Sequence, residues 1–253
     1  MEPVTRFQKD YHIDLRDVDF KKELKLSTLF GFFQDVANLA SDNLGVGFEA
    51  LDKNYGVAFV LMRIRVEVIR IPKLDEEIEI ETWPLEPGKL EFERDFIVKD
   101  KDGNIIVRAT SVWVLMDLRK RRLKRSDSID LVYPEIITER AIEGSLDKLR
   151  AGENLETTYH KTIGYSDIDF NGHLNNSRYV DYIMDCFSVE QHRNYRIHTI
   201  EVNYLNEALP GDTIILKKDL SNLNDNTVIV EGIRSENEKM VFRSQVKIIK
   251  KQG

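Results

Sequence analysis

The sequence predicts an α+β protein made of two copies of one unit, each a leading strand, a long helix and an antiparallel meander. Three observations carry this. DVDF (17–20) and DIDF (167–170) superimpose, and extension without gaps sets Leu24 on Leu174, Ser27 on Ser177, Phe33 on Ile183 and Asp35 on Asp185. Both copies then carry apolar residues at helical spacing. Both continue into strand-like runs parted by turn residues. One helix cannot cover both faces of a large sheet, so each is expected along the concave face of a strongly curved one.

The first helix gathers Leu26, Leu29, Phe30, Phe33, Val36, Ala37 and Ala40 on one stripe, and the second gathers Val180, Ile183, Met184 and Phe187. Strands are expected at 60–71, 76–85, 89–100 and 104–117, and again at 197–205, 212–220, 226–235 and 239–250. Pro72, Pro87-Gly88, Asp102-Gly103, Pro210-Gly211 and Asn224-Asp225 supply the turns between them. The polar segment 126–156, with Pro134 and Gly144, reads as a linker, which sets the domains at 1–125 and 157–253.

The chain of 253 residues is long enough to bury a substantial core, and its 42% hydrophobic and 32% charged composition is that of a soluble globular protein. No signal peptide is read at the N-terminus. The longest apolar run, VAFVLM (57–62), is far too short to span a bilayer. A single cysteine, Cys186, gives no disulfide framework and fits a reducing, cytoplasmic setting. A net charge of −7 argues against a nucleic-acid partner, while LRKRRLKR (118–125) is a local basic stretch that usually means a solvated strand end. With few histidines and no His-x-x-x-His or Cys pair, neither metal nor cofactor is expected.

DIDFNGHLNNSR (167–178) imitates a calcium loop, with Asp, Asp and Asn at the first, third and fifth places and Gly at the sixth. Such a loop closes on a bidentate glutamate at its twelfth place. Here that place is Arg178, and the preceding YHKTIGYS is strand-like rather than helical. An Asp-x-Asn before a helix is also commonly only an N-cap, and Asn175, Asn176 and Tyr179 fit capping and packing.

The layout, with DIDFNGHLNNSRYVDY and a later glutamate in NYLNEALPGD (203–212), resembles the acyl-acyl-carrier-protein (acyl-ACP) thioesterases of plants and bacteria. That resemblance implies a tandem (double) hotdog, two curved antiparallel sheets each wrapped around one long helix. It implies hydrolysis of fatty acyl-ACP to free fatty acid, ending chain elongation, with the acylated carrier as partner. Carried over residue by residue, the catalytic positions fall on Asp169, Asn171, His173 and Glu207. Plant members often have a cysteine after this glutamate and a plastid transit peptide. This chain has Ala208 there, so a Cys-His mechanism is ruled out, and a transit peptide is not expected.

Thioester hydrolysis needs an activated water or a carboxylate nucleophile, a stabilised oxyanion and a proton for the thiolate. Asp169, Asn171 and His173 alternate, so an extended entry to the helix projects them into one cleft. The helix N-terminus then offers free N–H groups and its dipole to the oxyanion, and Gly172 allows close backbone approach. Either Glu207 or Asp169 activates the water, His173 serves the sulfur, and Asn171 orients the carbonyl or a catalytic side chain. The first half carries Lys21 and Glu23 in place of Asn171 and His173, which leaves one site per chain. That half is then free to form the acyl pocket around Phe30 and Phe33. Because acyl carrier proteins are strongly acidic, Arg121, Arg122 and Lys124 are candidates for docking one. The alternatives are an acyl-CoA thioesterase of the broader hotdog group, a non-catalytic acyl-thioester-binding hotdog, and a hotdog dehydratase. Association of two copies through sheet edges is compatible with the layout.

Overall fold

The computed structural model describes residues 2–251. It divides into two compact units, one running to Leu24 and again over Phe32–Leu146, the other comprising Lys25–Gly31 and the chain from Asp147 onward. The first half of the chain holds β1 (Phe7–His12), α1 (Leu26–Asn43), α2 (Phe48–Tyr55), β2 (Val57–Val68), β3 (Glu77–Pro84), β4 (Glu91–Asp100), β5 (Ile105–Asp117) and the short β6 (Leu123–Lys124). The second holds β7 (Glu156–Thr162), α3 (Asn176–Asp185), α4 (Val189–Asn194), β8 (Tyr195–Tyr204), β9 (Thr213–Asp219), β10 (Thr227–Arg234) and β11 (Met240–Lys250).

Strand order is β1-β3-β4-β5-β2 in the first unit, with β6 on β5, and β7-β9-β10-β11-β8 in the second. These are the same topology, strand for strand, and the pairings are antiparallel in both. Register shifts at Leu61/Arg63 in β2 and at Gly232/Ile233 in β10 are irregularities of the kind that increase twist and bend a sheet. Gly232 has a further reason to be glycine, since a Cβ there would stand 2.1 Å from the Phe242 ring.

All seven residues of the α1 stripe are buried, and Phe33 packs on Phe96 of β4 with ring centroids 4.9 Å apart. On α3, Val180, Ile183 and the following Phe187 are buried, as expected, and Met184 is half-buried. The second helix is shorter than its counterpart, 10 residues against 18. It ends at Cys186, and Ser188 with Gln191 forms a capping box that starts α4. Neither α2 nor α4, at 8 and 6 residues, is long enough to print a helical period on the sequence.

The segment read as a polar linker is not slack. Ile129, Ile137, Ala141, Ile142 and Leu146 are buried, and Ile137 and Ala141 join Trp83, Leu85 and Ile97 in one apolar cluster. The Asp95 carboxylate accepts the Ala141 N–H at 2.7 Å and Arg140 Nε at 3.2 Å, while Trp83 Nε1 donates to the Glu139 carbonyl at 3.0 Å. In the second unit, Asp219 accepts the N–H groups of Glu153 and Asn154 at 2.7 and 3.0 Å. The compact units part between Leu146 and Asp147, so each end of this strap is fastened to its own unit. Its apolar residues follow no period, which is why only the folded chain shows them inside. Among the described residues, no helix is long and apolar enough to cross a membrane.

Candidate active site

The segment from Asp169 to His173 is a closed turn, not the extended entry that alternation suggests. Ile168 and Leu174 form a bridge, Asp169 N–H donates to the His173 carbonyl at 2.8 Å, and Gly172 N–H donates to the Asp169 carbonyl at 3.0 Å. The Asp169 carboxylate folds back into the turn, where Oδ1 accepts the N–H groups of Asn171 and His173 at 2.9 and 3.2 Å. Gly172 has φ +78° and open space where a Cβ would stand, so left-handed backbone rather than close approach calls for glycine. The turn therefore consumes the N–H groups of Asn171, Gly172 and His173 internally. Ser177 N–H is taken at 2.9 Å by the N-cap side chain of Asn175. The N–H groups of Asn171, Gly172, His173 and Ser177 are thus occupied within the chain, since a short loop satisfies its own donors.

The first half builds the same turn. Asp19 N–H donates to the Glu23 carbonyl at 2.8 Å, Lys22 N–H to the Asp19 carbonyl at 3.0 Å, and Asp19 Oδ1 accepts from Lys21 and Glu23 N–H at 2.7 and 3.2 Å. Lys22 takes φ 60° where Gly172 stands. Duplicated geometry with different side chains separates scaffold from chemistry. The aspartate is common to both turns, whereas the first half replaces Asn171 and His173 with an ion pair, Lys21 Nζ to Glu23 Oε2 at 2.6 Å.

Glu207 lies on the loop between β8 and β9, which is laced to the turn by backbone. Leu174 N–H donates to the Ala208 carbonyl at 2.9 Å, Ile163 N–H to that of Asp212 at 2.9 Å, and Gly211 N–H to that of Ile163 at 3.0 Å. This lacing puts His173 Nε2 3.7 Å from Glu207 Oε2, with side chains 31% and 41% exposed. That is a charge contact when the imidazole is protonated and slightly long for a hydrogen bond, as unliganded sites often are. Asn171 sits exposed at the tip of the same turn. Glu207 and His173 are thus brought together, and Asp169 is committed to the turn. Among the described residues, no three His, Cys, Asp or Glu side chains gather as a metal-ligand set.

Sequence reasoning missed Arg234, whose Nη2 donates to the Glu207 carbonyl at 2.6 Å. No signal marks it, because it reads as one more polar residue at a strand end. It also missed the exposed aromatics Tyr165 (93%) and Phe170 (79%) beside the turn. Cys186 is a core residue as expected: it is buried, its Sγ donates to the Tyr182 carbonyl, and burial pushes the thiol up to about 12. Phe30 and Phe33 are buried. In the basic hairpin Arg121 and Arg122 are exposed, but Lys124 is half-buried and stands 3.5 Å from Asp117.

Residues 4–133 match the sequence family described as the acyl-ACP thioesterase N-terminal domain, and residues 150–253 match its C-terminal domain. An oleoyl-acyl carrier protein thioesterase of Coriandrum sativum is 26% identical over 226 residues, 82% of this chain and 61% of the relative. An acyl-[acyl-carrier-protein] hydrolase of Cuphea viscosissima is 26% identical over 250 residues, 91% of this chain and 59% of the relative. The chain thus spans about three fifths of the length of these curated relatives. The crystal structure of an acyl-ACP thioesterase from Bacteroides thetaiotaomicron superimposes with TM-score 0.84 at 27% identity, covering 97% of this chain and 98% of that one. A 12:0-ACP thioesterase from Umbellularia californica shares the fold, with TM-score 0.80 at 20% identity over 98% of each chain. Repeat, topology and both domain matches agree that the fold is the tandem hotdog and that this chain belongs to the acyl-ACP thioesterase family.

Proposed function

We propose that this chain hydrolyses the thioester of fatty acyl-ACP, releasing the free fatty acid and ending elongation. The observation that carries the reading is the approach of His173 to Glu207 at 3.7 Å, in the half that holds both. Family membership supplies the substrate class. Glu207 takes a proton from water as its oxygen bonds to the thioester carbon. The carbonyl electrons move to an oxyanion, for which the carboxamide of Asn171 is the donor, since the backbone donors of the turn are occupied. Collapse breaks the C–S bond, the His173 imidazolium protonates the departing thiolate, and Glu207 returns its proton to His173. Between the two carboxylates of the sequence reading, occupied Oδ1 of Asp169 favours Glu207 as the base.

In this reading the C-terminal half is catalytic, and Phe30 and Phe33 set the room available to the acyl chain. Arg121 and Arg122, with Lys124, offer charge to an acidic carrier. The test is kcat/KM on matched acyl-ACP and acyl-CoA substrates across chain lengths, with His173→Ala as control. Preference for the carrier, and a loss of roughly 10²–10⁴-fold in the variant, is expected. Preference for the CoA ester replaces the substrate assignment. A wild type no faster than His173→Ala leaves only an acyl-thioester binder.

A further inference from the structure

We propose that Asn176 is a further catalytic residue: its carboxamide donates to the thioester carbonyl as that oxygen gains charge, and shares the oxyanion with Asn171. This rests on His173 and Glu207 being the hydrolytic pair. Asn175 and Asn176 read alike in the sequence, as capping and packing residues, and the folded chain separates them.

Asn175 is the cap, with Oδ1 accepting both the N–H and the hydroxyl of Ser177 at 2.9 Å. Asn176 is thereby released from that duty. It is the first residue of α3, and the residues three, four and seven places on, Tyr179, Val180 and Ile183, are all buried. Asn176 therefore heads the stripe that turns away from water, and is itself half-buried. Its backbone carbonyl accepts the Tyr204 hydroxyl at 3.1 Å, and the Tyr204 ring meets that of Tyr179 edge-on at 5.3 Å. Tyr204 is the last residue of β8, the strand that leads into the Glu207 loop. On the other side, Leu174, between His173 and the cap, donates its N–H to the Ala208 carbonyl of the same loop at 2.9 Å. Asn176 is thus fastened close to both members of the pair. Among the described residues its carboxamide has no hydrogen-bond partner. An amide on an inward face is costly to leave unpaired, and a thioester oxygen arriving with the substrate supplies the acceptor.

The first half provides an internal control. Leu24 matches Leu174, so the residue at the place of Asn176 is Leu26, which is 8% exposed at the head of the α1 stripe. Both halves build the same turn and start a helix after it. The half without the His–Glu pair fills this place with an aliphatic side chain, so packing there is satisfied by leucine and does not call for an amide. The amide stands only in the half that carries His173 and Glu207, as Asn171 does. An oxyanion is held best by donors fixed before the reaction begins, and a side chain on the first residue of a packed helix is better fixed than one at the exposed tip of a turn. No proton moves at Asn176. Its Nδ2–H donates to the carbonyl oxygen while the water oxygen bonds to the carbon, and lets go when the C–S bond breaks and the carbonyl re-forms.

The test measures kcat and KM on acyl-ACP, the melting temperature, and inhibition by a trifluoromethyl ketone that replaces the thioester carbonyl and binds as its tetrahedral hydrate. The variants are Asn176→Leu, which installs the residue the first half already accepts, and Asn176→Ala. Asn176→Leu should lower kcat by roughly 10²–10³-fold, with KM and melting temperature near those of the wild type. The fluoroketone should weaken by a similar factor, because it presents the oxygen that the amide holds. A variant at wild-type kcat overturns the proposal. So does a lower kcat with undiminished fluoroketone affinity, which makes Asn176 structural. If Asn176→Leu does not fold, Asn176→Ala decides by the same two readings. A His173→Ala enzyme at wild-type rate removes the hydrolytic pair and this inference with it, whereas an inactive His173→Ala beside a fully active Asn176→Leu removes this inference alone.

Discussion

Asp169 and Asp19 each hold two backbone N–H groups with one carboxylate oxygen, in turns that match bond for bond. The same residue type therefore does the same work in a half with the His–Glu pair and a half without it. Asp169→Ala should lower the melting temperature and kcat together, Asp19→Ala the melting temperature alone, and Glu207→Gln kcat alone by about 10²–10⁴-fold. Each lost aspartate removes hydrogen bonds to a charged acceptor worth about 1.5–3 kcal/mol. Paired thermal melts and steady-state rates check this, and Asp169→Ala at wild-type stability would show the turn does not need its carboxylate. At this scale the sequence exposed which residues matter, because DIDFNGH repeats DVDFKKE with the polar trio altered. It did not expose how they point. Alternation suggested a strand-like entry, but a carboxylate two residues before a backbone N–H readily closes a turn on itself.

The elements read clearly wherever one face meets a core. The α1 stripe and the strands β2–β5 and β8–β11 lie within a few residues of expectation, since apolar period follows from which side chains leave water. Phe33 occupies the middle of that stripe against Phe96. Phe33→Leu should shift the acyl-chain profile toward longer substrates, with a modest loss of stability. An unchanged profile over a chain-length series would free Phe33 from the pocket. The strap makes a second test. Hydrogen bonds from Ser221 and from the backbone of Asn154 and Ser221 hold the Asp219 carboxylate down to about 2. Its folded value lies below the unfolded one near 4, so its stabilisation is complete above about pH 4 and is lost as pH falls toward about 2. Asp219→Asn should therefore melt lower at pH 7 and converge on wild type near pH 2. A constant gap in melting temperature across that range would remove the carboxylate from the account.

At the scale of the whole molecule, the chain is acidic, with a net charge of −7, yet presents Arg119, Lys120, Arg121 and Arg122 together on an exposed hairpin. A local basic surface on an acidic protein raises the encounter rate with an acidic partner, in a salt-dependent way. Reversal of charge at Arg121, Arg122 and Lys124 should raise KM for an acyl-carrier substrate several-fold and leave a small thioester unaffected. The difference should shrink as salt rises. Equal effects on both substrates would exclude docking there. Lys124 should contribute least, since Asp117 already neutralises it.

The sequence by itself determined the duplication, the helix and strand inventory and the half that bears the histidine. Each is local or periodic, and periodicity survives in one dimension. Only the tertiary structure decided that the linker is a strap and that Glu207 and His173 meet at 3.7 Å. It also decided that Arg234 reaches the carbonyl of Glu207. Those outcomes depend on hydrogen bonds between residues far apart in the chain. Such partners are chosen by how the sheet and its loops close, and no spacing along the sequence records them.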